Sequence, residues 1–107
     1  METTLSEILS QVERYVIPIV SSTKGPGLSK EENRVLAFQC INRMNHRIGY
    51  FSRQNVKDPS DLKLLKTYVN NLTKGLKIDN VPLIKSALGS IRNIIPSIEK
   101  PSEKSST

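Results

Sequence analysis

The stretch from 39 to 55, QCINRMNHRIGYFSRQN, concentrates side chains that can recognise a charged or aromatic ligand. It holds three arginines, the only histidine of the chain, a tyrosine and a phenylalanine, and it contains no carboxylate. A guanidinium group donates two parallel hydrogen bonds to a phosphate, and tyrosine or arginine planes stack on unpaired bases. The stretch therefore has the chemistry of a surface that binds RNA or single-stranded DNA.

A helix of 3.6 residues per turn would give this stretch two different sides. The side expected to face the core carries Ala37, Ile41, Met44, Ile48 and Phe51. The side expected to face outward carries Arg43, His46, Arg47, Tyr50 and Gln54, at spacings of three and four. The sequence leaves open whether this outer side binds a partner or is an ordinary solvated surface with Tyr50 partly packed against a neighbouring helix.

The charges of the chain are distributed unevenly. Between Asn33 and Ile95 there are eleven Lys and Arg against three acids, an excess of +8, whereas residues 1–32 carry a net charge of −2. The three acids, Asp58, Asp61 and Asp79, stand at predicted helix starts, where carboxylates accept hydrogen bonds from backbone N–H groups. An excess confined to the second, third and fourth helices favours an anionic partner.

We therefore predict a non-catalytic basic module that binds RNA or single-stranded nucleic acid. The residues expected to make the contacts are Arg43, His46, Arg47, Tyr50, Arg53, Lys63, Lys66 and Lys74. No glycine-rich phosphate loop, aromatic signature of the sheet-based RNA-binding domains or zinc-finger spacing narrows this class further.

The alternative is a protein-binding adaptor or accessory protein that acts through the first helix, with a hetero-partner or a second copy. In this helix Tyr15, Ile17 and their apolar neighbours are nearly consecutive, and one stripe cannot hide them all. Tyr15 or Ile17 would then be exposed for a contact. The competing possibility is that Pro18 turns the chain, so that both sides of this run face the core.

Residue types and spacing argue against catalysis and against a bound metal or cofactor. His46 has no carboxylate nearby in the sequence, and Cys40, the single cysteine, is expected to be a small buried hydrophobe. No pair of ligands at helical spacing seeds a metal site, and no apolar run approaches the ~20 residues that span a bilayer. With one cysteine and acidic residues near the start, we expect an intracellular protein, cytoplasmic or nuclear.

Four amphipathic segments with recognisable ends position these side chains. The first opens with a capping box of Thr4 and Glu7 and is kinked or ended by Pro18. The second runs from a capping box of Ser29 and Glu32 to about Gln54. The third runs from Asp58 and Pro59 to Gly75, and the fourth begins at DNVP and stops at Pro96. The other three stripes are Leu5, Ile8, Leu9, Val12, Val16 and Ile19; Leu62, Leu65, Val69, Leu72 and Leu76; and Ile84, Ala87, Leu88, Ile91 and Ile95.

The fold predicted from these segments is all-α, a small four-helix bundle-like domain over residues 1–96 with a disordered tail over 97–107. In size, basic charge and capped helices, the chain resembles in outline the small immunity proteins of bacteriocin producers and the helical domains of viral polymerase cofactors. The resemblance is one of outline and not of motif, so it assigns no role to any residue.

Overall fold

The computed structural model describes residues 4–21, 30–53 and 59–99 of the 107-residue chain. These residues form four helices, α1 (Leu5–Ser21), α2 (Lys30–Ser52), α3 (Pro59–Ile78) and α4 (Val81–Ile98), and the described ranges contain no strand. The all-α fold predicted from the sequence is confirmed.

Each helix packs against two others and not against the one diagonally opposite: α1 and α3 both contact α2 and α4. Side-chain contacts show that neighbouring helices run in opposite directions. Leu5, the first residue of α1, meets Glu99, just after α4, and Arg34, near the start of α2, meets Asp79, just after α3. The described helices thus form a four-helix bundle, as predicted, and in the structure its neighbouring helices run antiparallel.

The core of the bundle is made of the predicted stripes. Every stripe residue of α1, α3 and α4 is buried, and so are Ala37, Ile41, Met44 and Ile48 of α2. Phe51, the last residue of the predicted α2 stripe, is half-buried and packs against the core from its edge. Burying a Leu or Ile side chain contributes about 1.5–3 kcal/mol, so these faces fix how the helices are rotated.

The helix starts that lie in the described ranges follow the expected capping chemistry. The backbone N–H of Thr4 donates to Glu7 Oε1 at 2.9 Å, and that of Glu7 donates to Thr4 Oγ1 at 3.2 Å, which confirms the first capping box. At the start of α4, the Asn80 side chain accepts a hydrogen bond from the backbone N–H of Leu83. The predicted caps Ser29 and Asp58 lie outside the described residues.

Two helices continue through a proline at which the sequence analysis allows or predicts an end. Helix α1 continues through Pro18 to Ser21, and α4 continues through Pro96 to Ile98. A proline removes one backbone hydrogen bond and crowds the preceding turn, and a core contact in the following residues can offset that cost. Ile19 is buried beyond Pro18, and Ile98 packs against the core beyond Pro96. The three residues after Pro96, assigned above to the tail, therefore belong to α4 or follow it directly.

The turn between α3 and α4 also differs from expectation. Helix α3 passes through Gly75 and ends at Ile78; a Cβ on Gly75 would lie 2.9 Å from Ile84 Cγ1 and 3.2 Å from the Ile84 backbone nitrogen. Gly75 therefore allows α3 and α4 to approach closely. Asp79 has a positive φ of 55°, and the Asn80 N–H donates to the Gly75 carbonyl at 2.9 Å, so Asp79 terminates α3 and does not cap α4.

None of the helices in the described ranges combines the length and the apolarity needed to cross a bilayer.

Candidate nucleic-acid interface

Arg47, predicted to lie on the outer surface, is instead part of a contact between three helices. Its Nη2 lies 2.6 Å from Glu99 Oε2, and the two side chains are only 15% and 12% exposed. Glu99 Oε1 also accepts a hydrogen bond from the backbone N–H of Leu5, the first residue of α1. We call Leu5, Arg47 and Glu99 the junction, since they hold α2 and the C-terminal end of α4 against the start of α1.

Helical spacing explains why the predicted position of Arg47 is wrong. Arg47 lies three residues after Met44 and four before Phe51, which places it at the border of the core stripe and not opposite to it. Its guanidinium carbon lies 4.9 Å from the ring centroids of both Tyr50 and Phe51. A guanidinium over two aromatic faces is favourable by cation–π attraction, which adds to the ion pair in fixing the side chain.

Arg43 is turned toward α1. Its Nη2 donates hydrogen bonds to Gln11 Oε1 and, at 3.4 Å, to Cys40 Sγ. Cys40 is buried, as predicted. The Arg43 side chain therefore links α2 to α1 while it stays exposed, as predicted.

Arg34 forms the second cluster of charges that the fold brings together. It contacts Glu31 Oε1 at 2.7 Å and Asp79 Oδ1 at 2.6 Å, and Lys30 Nζ lies 3.4 Å from the same Asp79 oxygen. Partial burial alone would raise the pKa of the Asp79 carboxyl, but the charges of Arg34 and Lys30 together outweigh burial and hold that pKa below its usual value. Asp79 thus neutralises basic residues of α2 across the α2–α3 contact.

A third pair joins Arg92 of α4 to Glu13 of α1. Glu13 and Glu99 lie outside the range from Asn33 to Ile95 over which the basic excess is counted. In the folded protein both carboxylates contact arginines of that range. The excess of +8 therefore overstates the number of cations available to a partner. Glu99 was missed because it lies 52 residues from Arg47 in the sequence, and no local pattern relates them.

Seven of the eight predicted contact residues, all except Arg47, are exposed; apart from Arg43, which meets Gln11, and Tyr50, which meets Arg47, five remain on the outer sides of α2 and α3. We call them the basic face: His46, Arg53, Lys63, Lys66 and Lys74. Within the described residues, none of them forms an ion pair. Lys77 of α3 is also exposed and forms no ion pair with a described residue. Asp61 is the only acidic residue of α3.

Four members of the basic face lie toward one end of the bundle, whereas Lys74, five residues before Asp79, lies toward the other. Arg34 and Asp79 fix the register of α2 against α3, and Arg53 and Lys63 lie nineteen and sixteen residues away from them. At 1.5 Å per residue these separations are roughly 28 and 24 Å along the two helices. Arg53 and Lys63 are therefore near one level, with His46 and Lys66 about one to two turns further back.

Tyr50 lies at the margin between the junction and the basic face. Its side chain is 37% exposed, and its ring meets Phe51 edge to face, with centroids 5.4 Å apart and an interplanar angle of 77°. One part of the ring is thus accessible while the Arg47 guanidinium lies over a face of it.

The two residues proposed for protein binding on α1 have different surroundings. Tyr15 is half-buried and packs against the core, whereas Ile17 is 51% exposed. Pro18 therefore does not turn both sides of this run inward, and Ile17 is the residue of α1 that presents apolar surface.

Among the described residues, no three His, Cys, Asp or Glu side chains come together in a group that could hold a metal ion. Comparison of the chain with family models, with curated proteins and with solved structures found no match. The function is therefore argued from the bundle's own surfaces.

Proposed function

We propose that this protein is a non-catalytic module that binds RNA or single-stranded nucleic acid through the basic face. The strand would lie along the outer sides of α2 and α3, with Arg53 and the α3 lysines on its phosphates. His46 and the accessible part of Tyr50 would offer planes on which unpaired bases stack. Arg47 leaves the proposed contact set because it is paired with Glu99 and little exposed. Arg43 is exposed, and we set it aside because its guanidinium group is hydrogen-bonded to Gln11 of α1.

The observation that carries the proposal is the contrast in how the fold uses its cations. Arg34, Arg47 and Arg92 each meet a carboxylate, whereas Arg53, Lys63, Lys66 and Lys74 meet none among the described residues. Helix α3 has four lysines and one acid, so it gains little from the pairs of opposite charge that usually stabilise a solvated helix. An external anion supplies the missing counter-charge.

The test is a fluorescence-anisotropy titration of a short unstructured RNA at several salt concentrations. Neutralising about four phosphates of a single strand gives a log–log slope of affinity against salt near −3. The triple variant Lys63→Gln/Lys66→Gln/Lys74→Gln is expected to reduce that slope to about −1, because three phosphate contacts are lost.

The matched control is Arg14→Gln with Lys85→Gln, which removes exposed cations from α1 and α4. Its slope is expected to stay close to that of the wild type. Absence of binding by the wild type in low salt would end the proposal. An equal loss in the triple variant and the control would show general charge attraction and no particular face.

A second candidate, protein binding through α1, is favoured by the exposure of Ile17. Sedimentation of the wild type and of Ile17→Asp over a concentration series tests whether the protein self-associates through α1. A wild type that stays monomeric at every concentration excludes that form, whereas an association lost on Ile17→Asp would support it.

A further inference from the structure

The junction holds an anion between donors that come from two helices. One oxygen of the Glu99 carboxylate meets the Arg47 guanidinium at 2.6 Å, and the other accepts a hydrogen bond from the backbone N–H of Leu5, the first residue of α1. A guanidinium fork and the N–H groups at a helix start are both groups that bind phosphate. The junction is therefore an anion site, and its occupant in the folded chain is the protein's own carboxylate.

The segment that carries Glu99 is held to the bundle by few other contacts. Pro96 is exposed and has no N–H, so the last turn of α4 lacks one backbone hydrogen bond. Ile98 is only half-buried, and the Glu99 N–H donates to the Ile95 carbonyl at 2.9 Å. We call residues 96–99 the clasp. Because its backbone and apolar contacts are few, local opening of the clasp costs less free energy than unfolding of the bundle.

Arg47 lies close to the basic face, although it does not belong to it. Its guanidinium lies over the ring of Tyr50, three residues further on, and Arg53 of the basic face follows Tyr50 by another three. Residues three apart are neighbours on a helix surface, and six residues span roughly 9 Å along the axis. An Arg47 guanidinium without Glu99 would thus add a phosphate donor beside the proposed contact set.

We infer that the clasp is an autoinhibitory contact, in which the Glu99 carboxylate occupies on Arg47 the place of one phosphate of the bound strand. The inference rests on the proposed function and adds a regulation of it. With the clasp closed, as in the structure, Arg47 takes no part in binding. With the clasp open, Arg47 contributes one further phosphate contact, so the closed protein binds a strand more weakly than the open one.

The experiment measures the affinity of Glu99→Gln for a short unstructured RNA at several salt concentrations, by fluorescence anisotropy. A glutamine keeps a carbonyl oxygen that accepts the Leu5 N–H, but it has no charge to hold Arg47. We expect a higher affinity than the wild type in low salt and a log–log slope steeper by about 0.7, the contribution of one phosphate of a single strand. Adding Arg47→Gln to Glu99→Gln is expected to restore the wild-type slope.

Glu13→Gln is the matched control, because it changes the net charge by the same amount and also takes a carboxylate from an arginine, Arg92 of α4. Its slope is expected to stay at the wild-type value. Ile98→Ala is an independent variant that loosens the clasp and leaves every charge in place. We expect it to steepen the slope as Glu99→Gln does, and only while Arg47 is present.

Three results would overturn the inference while the proposed function stands: a wild-type slope in Glu99→Gln, an equal gain in Glu13→Gln, or a gain that survives Arg47→Gln. If Glu99→Gln does not fold, Ile98→Ala decides alone, and an unchanged slope in that variant overturns the inference. If the wild type binds no strand in low salt, the proposed function fails and the inference with it.

Discussion

The junction and the basic face use the same kind of side chain in opposite ways. At the junction, Arg47 is almost enclosed, meets Glu99 and lies over two aromatic rings. On the basic face, Lys63 and Lys66 are exposed and meet no carboxylate among the described residues. The comparison teaches that a count of cations does not locate a binding surface, because ion pairs within the fold occupy part of the cations that the count includes.

The largest effect that would separate the two regions is expected from truncating Arg47. Arg47→Ala leaves the Glu99 carboxylate poorly solvated and empties space beside Tyr50 and Phe51. We expect the free energy of unfolding to fall by about 2 to 3 kcal/mol, somewhat less than for a fully dry ion pair, because both side chains retain some contact with water. Urea unfolding followed by circular dichroism measures the change.

Arg53→Ala is the matched variant on the basic face, and its free energy of unfolding should change by no more than about 0.5 kcal/mol. RNA affinity should respond in the reverse order, falling for Arg53→Ala and changing little for Arg47→Ala under conditions where both proteins are folded. If Arg47→Ala melts like the wild type, the junction does not stabilise the bundle, and the structural difference between Arg47 and Arg53 is refuted.

A smaller change in the free energy of unfolding is expected at the contact between α3 and α4. There, adding a methyl group to a glycine tests whether the helix surface is packed or open. Gly75→Ala places a Cβ against the Ile84 side chain and backbone, and the backbone cannot yield without moving a helix. The expected destabilisation is about 1 to 3 kcal/mol, despite the better helix propensity of alanine. Thermal unfolding measures it.

Gly89→Ala is the control for Gly75→Ala, because apart from its chain neighbours and its own helix backbone nothing described lies within 4 Å of the added Cβ. There the propensity gain of about 0.5–1 kcal/mol should appear as added stability. Two substitutions of the same kind should thus have opposite signs. A stabilising Gly75→Ala would show that α3 and α4 do not approach as closely as the structure has them.

The smallest effect concerns pH and the Asp79 cluster. Because Arg34 and Lys30 hold the pKa of the folded Asp79 carboxyl below its unfolded value of ~3.9, the unfolded state binds more protons near that pH. The stabilisation from Asp79 is therefore present above ~3.9 and is lost as pH falls through the folded pKa. Wild type and Asp79→Asn should differ in melting temperature near neutral pH and converge in acid. If the difference in melting temperature grew toward low pH, the pKa of Asp79 would be raised in the folded protein and not lowered.

Much of the fold follows from the sequence because hydrophobic periodicity is a local signal. The stripe beginning at Leu5 and the stripe beginning at Ile84 both predict which side of their helix is buried, and the structure confirms both. Capping is equally local, as the reciprocal hydrogen bonds of Thr4 and Glu7 show.

The errors arise where a distant part of the chain decides. The sequence predicts a helix end at Gly75, but in the structure this glycine lies inside α3, against Ile84 of α4. The sequence also predicts that α4 stops at Pro96, but core contacts of the following residues extend it. Arg47 reads as exposed because its partner, Glu99, lies in a segment assigned to the tail. Predicting the candidate site from the sequence therefore selects exposed lysines of α3 and the exposed Arg43, but it includes Arg47, which belongs to the junction.

The most direct test of the account is an NMR titration of the ¹⁵N-labelled protein with a short single-stranded RNA at low salt. Each backbone amide reports whether the strand lies near it, independently of any substitution. We predict that shifts concentrate in residues 42–53 of α2 and 63–77 of α3, fade as salt is added, and spare the amides of α1 and α4. Shifts centred on α1 and α4, or no shifts at low salt, would contradict the claim that the unpaired cations of the basic face are the binding surface.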